Sequence, residues 1–495
     1  MITIPRLVSP LLSVLIACGG ASSLQVSSDG SNGVTVNGSP GPTPFISFLL
    51  LTGPAVATLD AVSWSIEPKS GAASKPVSAR YALAALQRRG WVGENGVNVP
   101  VFGLYAGVEN QVDVHVEGSD GSSHDMVVRI TTQPYEDPKG VYTQPTILQA
   151  HPVGSSLDFD FIALKPAVES VVVIDTDGEV RWVGTSAPSP ATIFTANGFV
   201  VGSGNSTQMA RLELDGEVDG FQVDDPGVLD FTHNIDPGKT GLLAEFDVQG
   251  EVDATVAEIS PTGALIAGWK LGDLLSAYMS AEGDDPTLFV RPGVDWFHLN
   301  AATYDPRDDS VIVSSRENFV IKLDYATGTP IWILGDPTKY WAHFPSLRAK
   351  ALTVVGGGDY PIGQHATSIT SDGLLMLFND GTPSLNQPQG APAGQALSSS
   401  VVSAYEIDPV ARTAREVWRY DHQPELSSMF CSSAYQAGDS ILVNYAMSDN
   451  AANARIVGLD ANRQPVFELS YANPGGGCAT SWNAVPVPFE QLQFD

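Results

Sequence analysis

Basic side chains are scarce. The 495 residues carry 25 Lys and Arg against 55 Asp and Glu, a net charge of −30. A nucleic-acid partner needs a basic footprint, so that class is excluded. The acidic excess makes a solvated, self-repelling surface, and against it each buried Arg becomes more telling. Cysteine is scarcer still, with three in the chain. Beyond residue 17 no stretch approaches the roughly 20 apolar residues of a membrane-spanning helix. Histidine is also sparse, eight in all, so a pattern shared by several of them carries weight.

What is present points to an all-β chain of more than one domain. Glycine (48) and proline (35) are abundant, and Val, Ile and Thr alternate with polar residues through short segments. A length of 495 residues makes two domains the natural expectation. Residues 1–17 read as an export signal, Arg6 followed by an apolar run over 11–17. Leu15-Ile16-Ala17-Cys18-Gly19 resembles a lipoprotein box in which Cys18 becomes the lipidated first residue; an ordinary signal peptide is the alternative. Gly19 after the Cys fits transit to the outer membrane, so the expected address is the periplasm or cell envelope, with a lipid anchor as the membrane contact. Residues 18–32, rich in Ser, Gly and Asp, read as a flexible tether. Cys431 and Cys478 remain, an even pair in an oxidising compartment and hence a possible disulfide, although spacing does not show that they meet.

Residues 33–134 read as a small β-sandwich. Val112, Val114 and Val116 alternate with Asp113, His115 and Glu117, and after a turn Met126, Val128 and Ile130 alternate with Val127, Arg129 and Thr131. That is a hairpin half-buried against a second sheet, with His115 and His124 on its polar side. From 135 to 495 the chain repeats: strand, turn with Asp or Gly, strand, at 171–182, 211–216, 256–269, 320–334, 402–420 and 456–469. Hairpins of a second pattern alternate with these at 192–202, 233–246, 298–315, 365–378 and 431–445. Two hairpins per repeat make a four-stranded blade, and six repeats make a six-bladed propeller. The short Asp/Gly turns then lie on one side. The insertions 272–294, 336–363 and 381–400 lie on the other, with His233, His298 and His365 at the starts of three innermost strands.

The segment 295–316 concentrates the chemistry. Residues 301–304 and 310–315 read as two strands around the turn Asp305-Pro306-Arg307-Asp308-Asp309. His298 precedes the first strand and Arg316 follows the second, so a hairpin turns an imidazole and a guanidinium toward one spot. His233 stands eight residues before Gly241, and His365 stands eight before Gly373, equivalent places in neighbouring repeats. Three channel-lining histidines satisfied by water and carboxylates are the bland alternative.

These residues resemble the bacterial arylsulfate sulfotransferase family. The resemblance covers essentially the whole exported chain and is most specific in Asp295-Trp296-Phe297-His298-Leu299-Asn300, in Tyr304-Asp305-Pro306-Arg307-Asp308-Asp309-Ser310 through Arg316, in Ile331-Trp332-Ile333-Leu334-Gly335-Asp336-Pro337 and in Gln364-His365-Ala366. It implies a nucleotide-independent transfer of a sulfuryl group between phenols, with His365 as the nucleophile that becomes sulfurylated. It further implies that His298, Asn300 and Arg316 hold the sulfate oxygens and that His233 handles the phenolic proton. A hydroxyl from the last blade has no clean match; Ser432 or Ser433 could fill it. The chain departs from the family at Asn234, where an acid usually follows the first His, and at Asn379-Asp380-Gly381, where Asp-Asn-Gly is usual.

The chemistry stands on its own terms. Sulfuryl transfer needs a nucleophile such as imidazole, a fixed positive charge to follow the sulfonyl oxygens and a group that titrates near neutrality to move the phenolic proton. It needs no metal or other cofactor, and the sequence lacks the compact carboxylate or Cys spacing of a zinc site; a His-rich metal site stays the alternative. Trp341, in Tyr340-Trp341-Ala342-His343-Phe344, either stacks a phenol ring or anchors its loop. His151 and His422 read as solvated loop residues. The expected partners are small aryl sulfates and phenols. A non-catalytic binding propeller and an aryl-sulfate hydrolase are the competing readings.

Overall fold

A computed structural model describes residues 26–28, 33–155, 157–202, 204, 206–225 and 227–495. The expected export signal and the lipidation residue Cys18 lie outside the described residues. Among the described residues no helix is long and apolar enough to cross a membrane.

The described strands form two sandwich sheets and six propeller blades. In the sandwich, Trp64 is buried between the sheets, and its indole N–H donates to Pro100 O at 2.9 Å on the facing sheet. Its ring meets Phe102 edge-on at 5.0 Å. The larger sheet recruits strands from both ends of the chain. Val26–Ser28, placed by the sequence reading in the tether, pair antiparallel with 128–130. Leu492–Phe494, placed in the propeller, pair parallel with 79–81, and Phe494 stacks on Tyr81 at 4.3 Å.

Blade 2 begins at Thr192–Thr195, blade 3 at Val228–Pro237, blade 4 at Leu299–Asp305, blade 5 at Gln364–Ile369 and blade 6 at Ser433–Ala437, each with three further antiparallel strands outward. Blade 1 differs. Its outer three strands run from Phe161–Lys165 onward, while its innermost strand, Asn483–Pro486, comes from the end of the chain. Conversely Thr146–Gln149 adds an outer strand to blade 6. The ring is therefore closed twice, once at each radius. The repeat reading found the hairpins of blades 2–6 but gave blade 1 no inner hairpin, because its closing strand has no sequence-adjacent partner.

Blades pack face to face, so second strands are buried on both sides: every residue of Ser310–Ser315 and of Leu375–Asn379 is buried. This is why period-2 alternation fades inside the propeller while it holds in the half-exposed sandwich strand Glu109–Gly118.

One buried cation joins the two units. Arg181 of blade 1 is fully buried; its Nε and Nη2 donate to Gly103 O of the sandwich and its Nη1 to Asp175 Oδ2 at 3.0 Å. The guanidinium lies 3.8 Å over the Tyr105 ring. Breaking a buried pair leaves an uncompensated charge, so Arg181→Met is expected to lose about 3–5 kcal/mol of stability. Urea unfolding measures this; a loss below about 1 kcal/mol, the range of exposed ion pairs, would show that Arg181 does not hold the units together.

Candidate active site

Each candidate histidine sits at or beside a break in the register of an innermost strand. In blade 3 the pairing jumps between Phe231 and Ile235, so His233 lies on a bulge in mid-strand rather than at the strand start expected from sequence. In blade 4 the jump falls between Leu299 and Ala301, and His298 adopts a left-handed φ of +52°. In blade 5 it falls between His365 and Ser368, with Ala366 at φ +50°. Bulges re-aim side chains at sheet rims. Here three of them turn imidazoles toward one channel mouth. The hairpin closes as its sequence implies: Arg316 N–H donates to His298 O at 3.0 Å.

His365 is buried and its two ring nitrogens are differentiated. Nδ1 donates to Gly363 O at 2.9 Å, while Nε2 accepts the Cys431 N–H at 3.2 Å. Burial, then the nearby Arg316 charge, hold this imidazole well below the usual histidine range. It is therefore a neutral ring with a lone pair on Nε2. Cys431 and Ser432 carry φ of +57° and +72°, a conformation that costs roughly 1–2 kcal/mol per residue. Blade 6 holds them there through the Cys431–Cys478 disulfide, Cα atoms 6.4 Å apart, and through Ser432 Oγ, which accepts the Ala446 N–H at 3.0 Å.

Arg316 is 2% exposed. Its Nη1 donates to Glu317 at 2.8 Å, and its guanidinium lies 4.8 Å from the Phe430 ring centre. Nε and Nη2 are buried with no hydrogen-bond partner among the described residues; Asp380 Oδ2 stands 3.5 Å from Nε. Burial pushes the Asp380 carboxyl up to about 8 against the pull of Arg316. Burial thus works against the Asp380 charge, and its Oδ2 stands beyond hydrogen-bond reach of the fork. Gly363 makes room for the Asp380 carboxyl, since a Cβ there would fall 1.8 Å from Asp380 Oδ1.

The other two imidazoles share a carboxylate. His298 Nδ1 is 2.7 Å from Asp295 Oδ2 and 3.6 Å from Asp253 Oδ2, while His233 Nδ1 is 3.6 Å from Asp253 Oδ1. The rings meet edge-on at 4.9 Å, and Trp482 covers His233 at 5.5 Å. Burial, then the neighbouring imidazoles, hold His233 well below its usual range. Burial also opposes the charge on His298, yet the hydrogen bond and charge of Asp295 outweigh it and raise that ring.

The remaining candidates divide. Asn300 lies beside Gln364, next to His365; Nδ2 gives one hydrogen to Gln364 O at 2.8 Å and Oδ1 has no partner among the described residues. Ser432 and Ser433 do not offer a free hydroxyl: Ser432 Oγ bonds Ser428 Oγ at 2.8 Å, and Ser433 Oγ bonds the backbone of Ala484. The main-chain N–H of Cys431 is what blade 6 presents instead. Trp341 is 1% exposed, with its indole on Asp336 O at 3.0 Å and its ring against Phe319, so it anchors its insertion and cannot stack a substrate. His151 and His422 are buried rather than solvated, His151 on Thr176 and His422 between Pro424 O and Glu468. Asn234 accepts from Lys165 Nζ at 2.8 Å in a buried network with Asp236 and Glu245, below the histidines. Sequence reasoning missed Asp253 and Asp380; only the Asn379-Asp380 exchange hinted at the second.

Three imidazoles beside a buried guanidinium with two unpaired nitrogens, on the inner strands of a six-bladed ring, place the chain in a class, the β-propeller proteins with a histidine-lined central site. Within it the chain belongs to the arylsulfotransferase family: the model for arylsulfotransferase matches residues 154–475, and that for the arylsulfotransferase Ig-like domain matches 55–133. Arylsulfate sulfotransferase AssT of Escherichia coli O6:H1 (strain CFT073) is 29% identical over 222 residues, 40% of this chain and 34% of the relative. AssT of Lelliottia amnigena is 26% identical over 223 residues, again 40% and 34%. The match thus spans about a third of the length of these curated relatives. A solved β-propeller domain from Myceliophteria thermophila covers 66% of this chain and 99% of itself at 10% identity, with a TM-score of 0.36, too low to bear on the fold.

The two electrostatic settings separate on titration. In chelator-treated protein, histidine NMR is expected to show His365 still neutral below pH 6.5 and His298 still protonated above it. The reverse order would contradict the burial and Asp295 arguments.

Proposed function

We propose that the protein is a nucleotide-independent aryl-sulfate sulfotransferase that works in two half-reactions through sulfurylated His365. The observation that carries this reading is a neutral His365 beside a guanidinium with two unpaired nitrogens. Family membership supports it. In the first half-reaction the His365 Nε2 lone pair attacks sulfur, and the sulfur–aryl oxygen bond breaks with its electrons leaving on the phenoxide. Attack displaces the Cys431 N–H from Nε2 and frees that donor for a sulfonyl oxygen. In the second, an acceptor phenol oxygen attacks sulfur and the N–S bond breaks, which restores the imidazole.

Arg316 and His298 carry positive charge toward the sulfonyl oxygens, and Asn300 can add its second Nδ2 hydrogen. Such preorganised charge in a water-poor site stabilises the transition state more than it would in water. His233 is neutral in the empty site, but an arriving sulfate ester brings the negative charge that favours imidazolium. It then has a proton to give the departing phenoxide and recovers it from the acceptor, a contribution of roughly 10²–10⁴-fold.

The deciding experiment supplies a chromogenic aryl sulfate with and without a phenol. Phenol release that depends on the acceptor supports transfer; acceptor-independent release would make the protein a hydrolase. With donor alone, mass spectrometry is expected to find one sulfuryl group on His365, and His365→Ala is expected to abolish both label and turnover. A label elsewhere would remove His365 from its role. Arg316→Lys keeps the charge but loses the planar fork, so a loss of about 10²-fold or more in turnover is expected, in the range seen on removing one oxyanion donor. Near-wild-type rates would reduce Arg316 to a brace for its hairpin.

A further inference from the structure

The mouth holds a cluster whose geometry exceeds what proton transfer requires. His233, Asp253 and His298 each offer one ligand atom, all within 4.8 Å of one another. The sequence spacing had supplied no carboxylate to these histidines; the third strand of blade 3 brings one in, at φ +44° on Asp253. Asp253 reaches the two imidazoles evenly, 3.6 Å from its Oδ1 to His233 Nδ1 and 3.6 Å from its Oδ2 to His298 Nδ1. Ligand atoms about 2.1 Å from a tetrahedral zinc ion stand about 3.4 Å apart, so shifts of a few tenths of an ångström would seat one.

A second observation points the same way. The His233 side chain is 8% exposed, and its Nδ1 faces Asp253 with no hydrogen-bond partner among the described residues. A buried polar atom is normally satisfied, and a bound ion is one of the partners that can satisfy one that is not. The His298 and Asp253 side chains are 24% and 15% exposed, which leaves an entry from the mouth. Asp295 Oδ2, 2.7 Å from His298 Nδ1, stands beside the cluster as a fourth donor once that nitrogen exchanges its hydrogen for the ion. Two imidazoles and two carboxylates would then balance a divalent charge, and imidazole-rich sets favour zinc over magnesium or calcium.

We propose that His233, Asp253 and His298, with Asp295 alongside, form a zinc site at the channel mouth, and that zinc bound there reversibly closes the site to sulfate esters. The inhibitory part rests on the sulfotransferase reading; the binding part does not. The ion is a competitor for the imidazoles, since coordination takes from His233 and His298 the nitrogens that face Asp253.

The test titrates the chelator-treated full chain with Zn²⁺ by calorimetry and with Co²⁺ by its visible absorption. Wild type is compared with Asp253→Asn, His233→Gln and His115→Gln. The last removes the exposed His115–Asp125 pair of the sandwich, 2.6 Å apart, where an ion could bind adventitiously. One ion per chain with a tetrahedral Co²⁺ band is expected in wild type and in His115→Gln. Asp253→Asn and His233→Gln should each weaken binding at least as much as the 10–100-fold typical of outer-shell changes, roughly 10²-fold. Circular dichroism checks that both variants fold, and either one suffices. Aryl-sulfate turnover in wild type should fall as the site fills and return on adding chelator. Binding that survives both site variants, binding lost in His115→Gln, or no binding by wild type would overturn the proposal. Should the chain transfer no sulfuryl group at all, calorimetry and the Co²⁺ band still decide whether the metal site exists.

Discussion

A buried positive charge with at least three of its five N–H hydrogens unpaired among the described residues governs the layout of the mouth. Taking a guanidinium out of water carries an effective penalty of several kcal/mol unless the geometry around it compensates. Glu317 provides that compensation and is itself satisfied by chain segments drawn from far away. Its carboxylate accepts the N–H groups of Leu385 and Asn386, and its carbonyl accepts Ser384 Oγ, Gln387 Nε2 and Lys339 Nζ. Burial holds Lys339 down at about 8, against Glu317, which favours its charged form. Residues from both insertions, 336–363 and 381–400, thus converge on the residue paired with Arg316.

Side-chain chemistry was legible before the structure, and main-chain chemistry was not. His233, His298, Arg316 and His365 announced themselves because few histidines recur at equivalent places and because the 295–316 hairpin has clear turn residues. The architecture followed from the same alternation of strands and Asp/Gly turns. The Cys431 N–H on His365 leaves no trace in sequence, since every residue has an amide; only the left-handed turn at 431–432 aims it. Asp253 was hidden among acidic residues in an acidic chain, and only the pairing of its strand with 242–248 brings it across to two histidines. Trp341 misled for the opposite reason. An aromatic cluster reads alike whether it faces ligand or core, and here it faces core.

The two departures from the family pattern acquire physical meaning. Asn234 takes a hydrogen bond from Lys165, whose amine burial lowers to about 8, and passes one on to Asp236, pushed up to about 6 by burial. An amide can do both; a carboxylate could only accept and would add charge to a network that already holds Asp236 and Glu245. At 379–380 the exchange gives Asn379 the structural task, accepting the Ile362 N–H and donating to Ser403, and leaves the acid beside Arg316.

The double closure of the ring imposes an order in time. The His365 environment includes the Cys431–Cys478 link, His233 is covered by Trp482, and the strand that completes blade 1 is 483–486. A chain that emerges N-terminus first folds its early units before its late ones exist. Blades 2–5 have all their own strands once residue 421 is out, yet the propeller ring remains open until Asn483–Pro486 arrives. The three histidines and Arg316 thus have their own blades before Cys431, Trp482 and the closing strand exist, and a chain cut before residue 431 would carry those side chains without the amide and the indole that complete their surroundings.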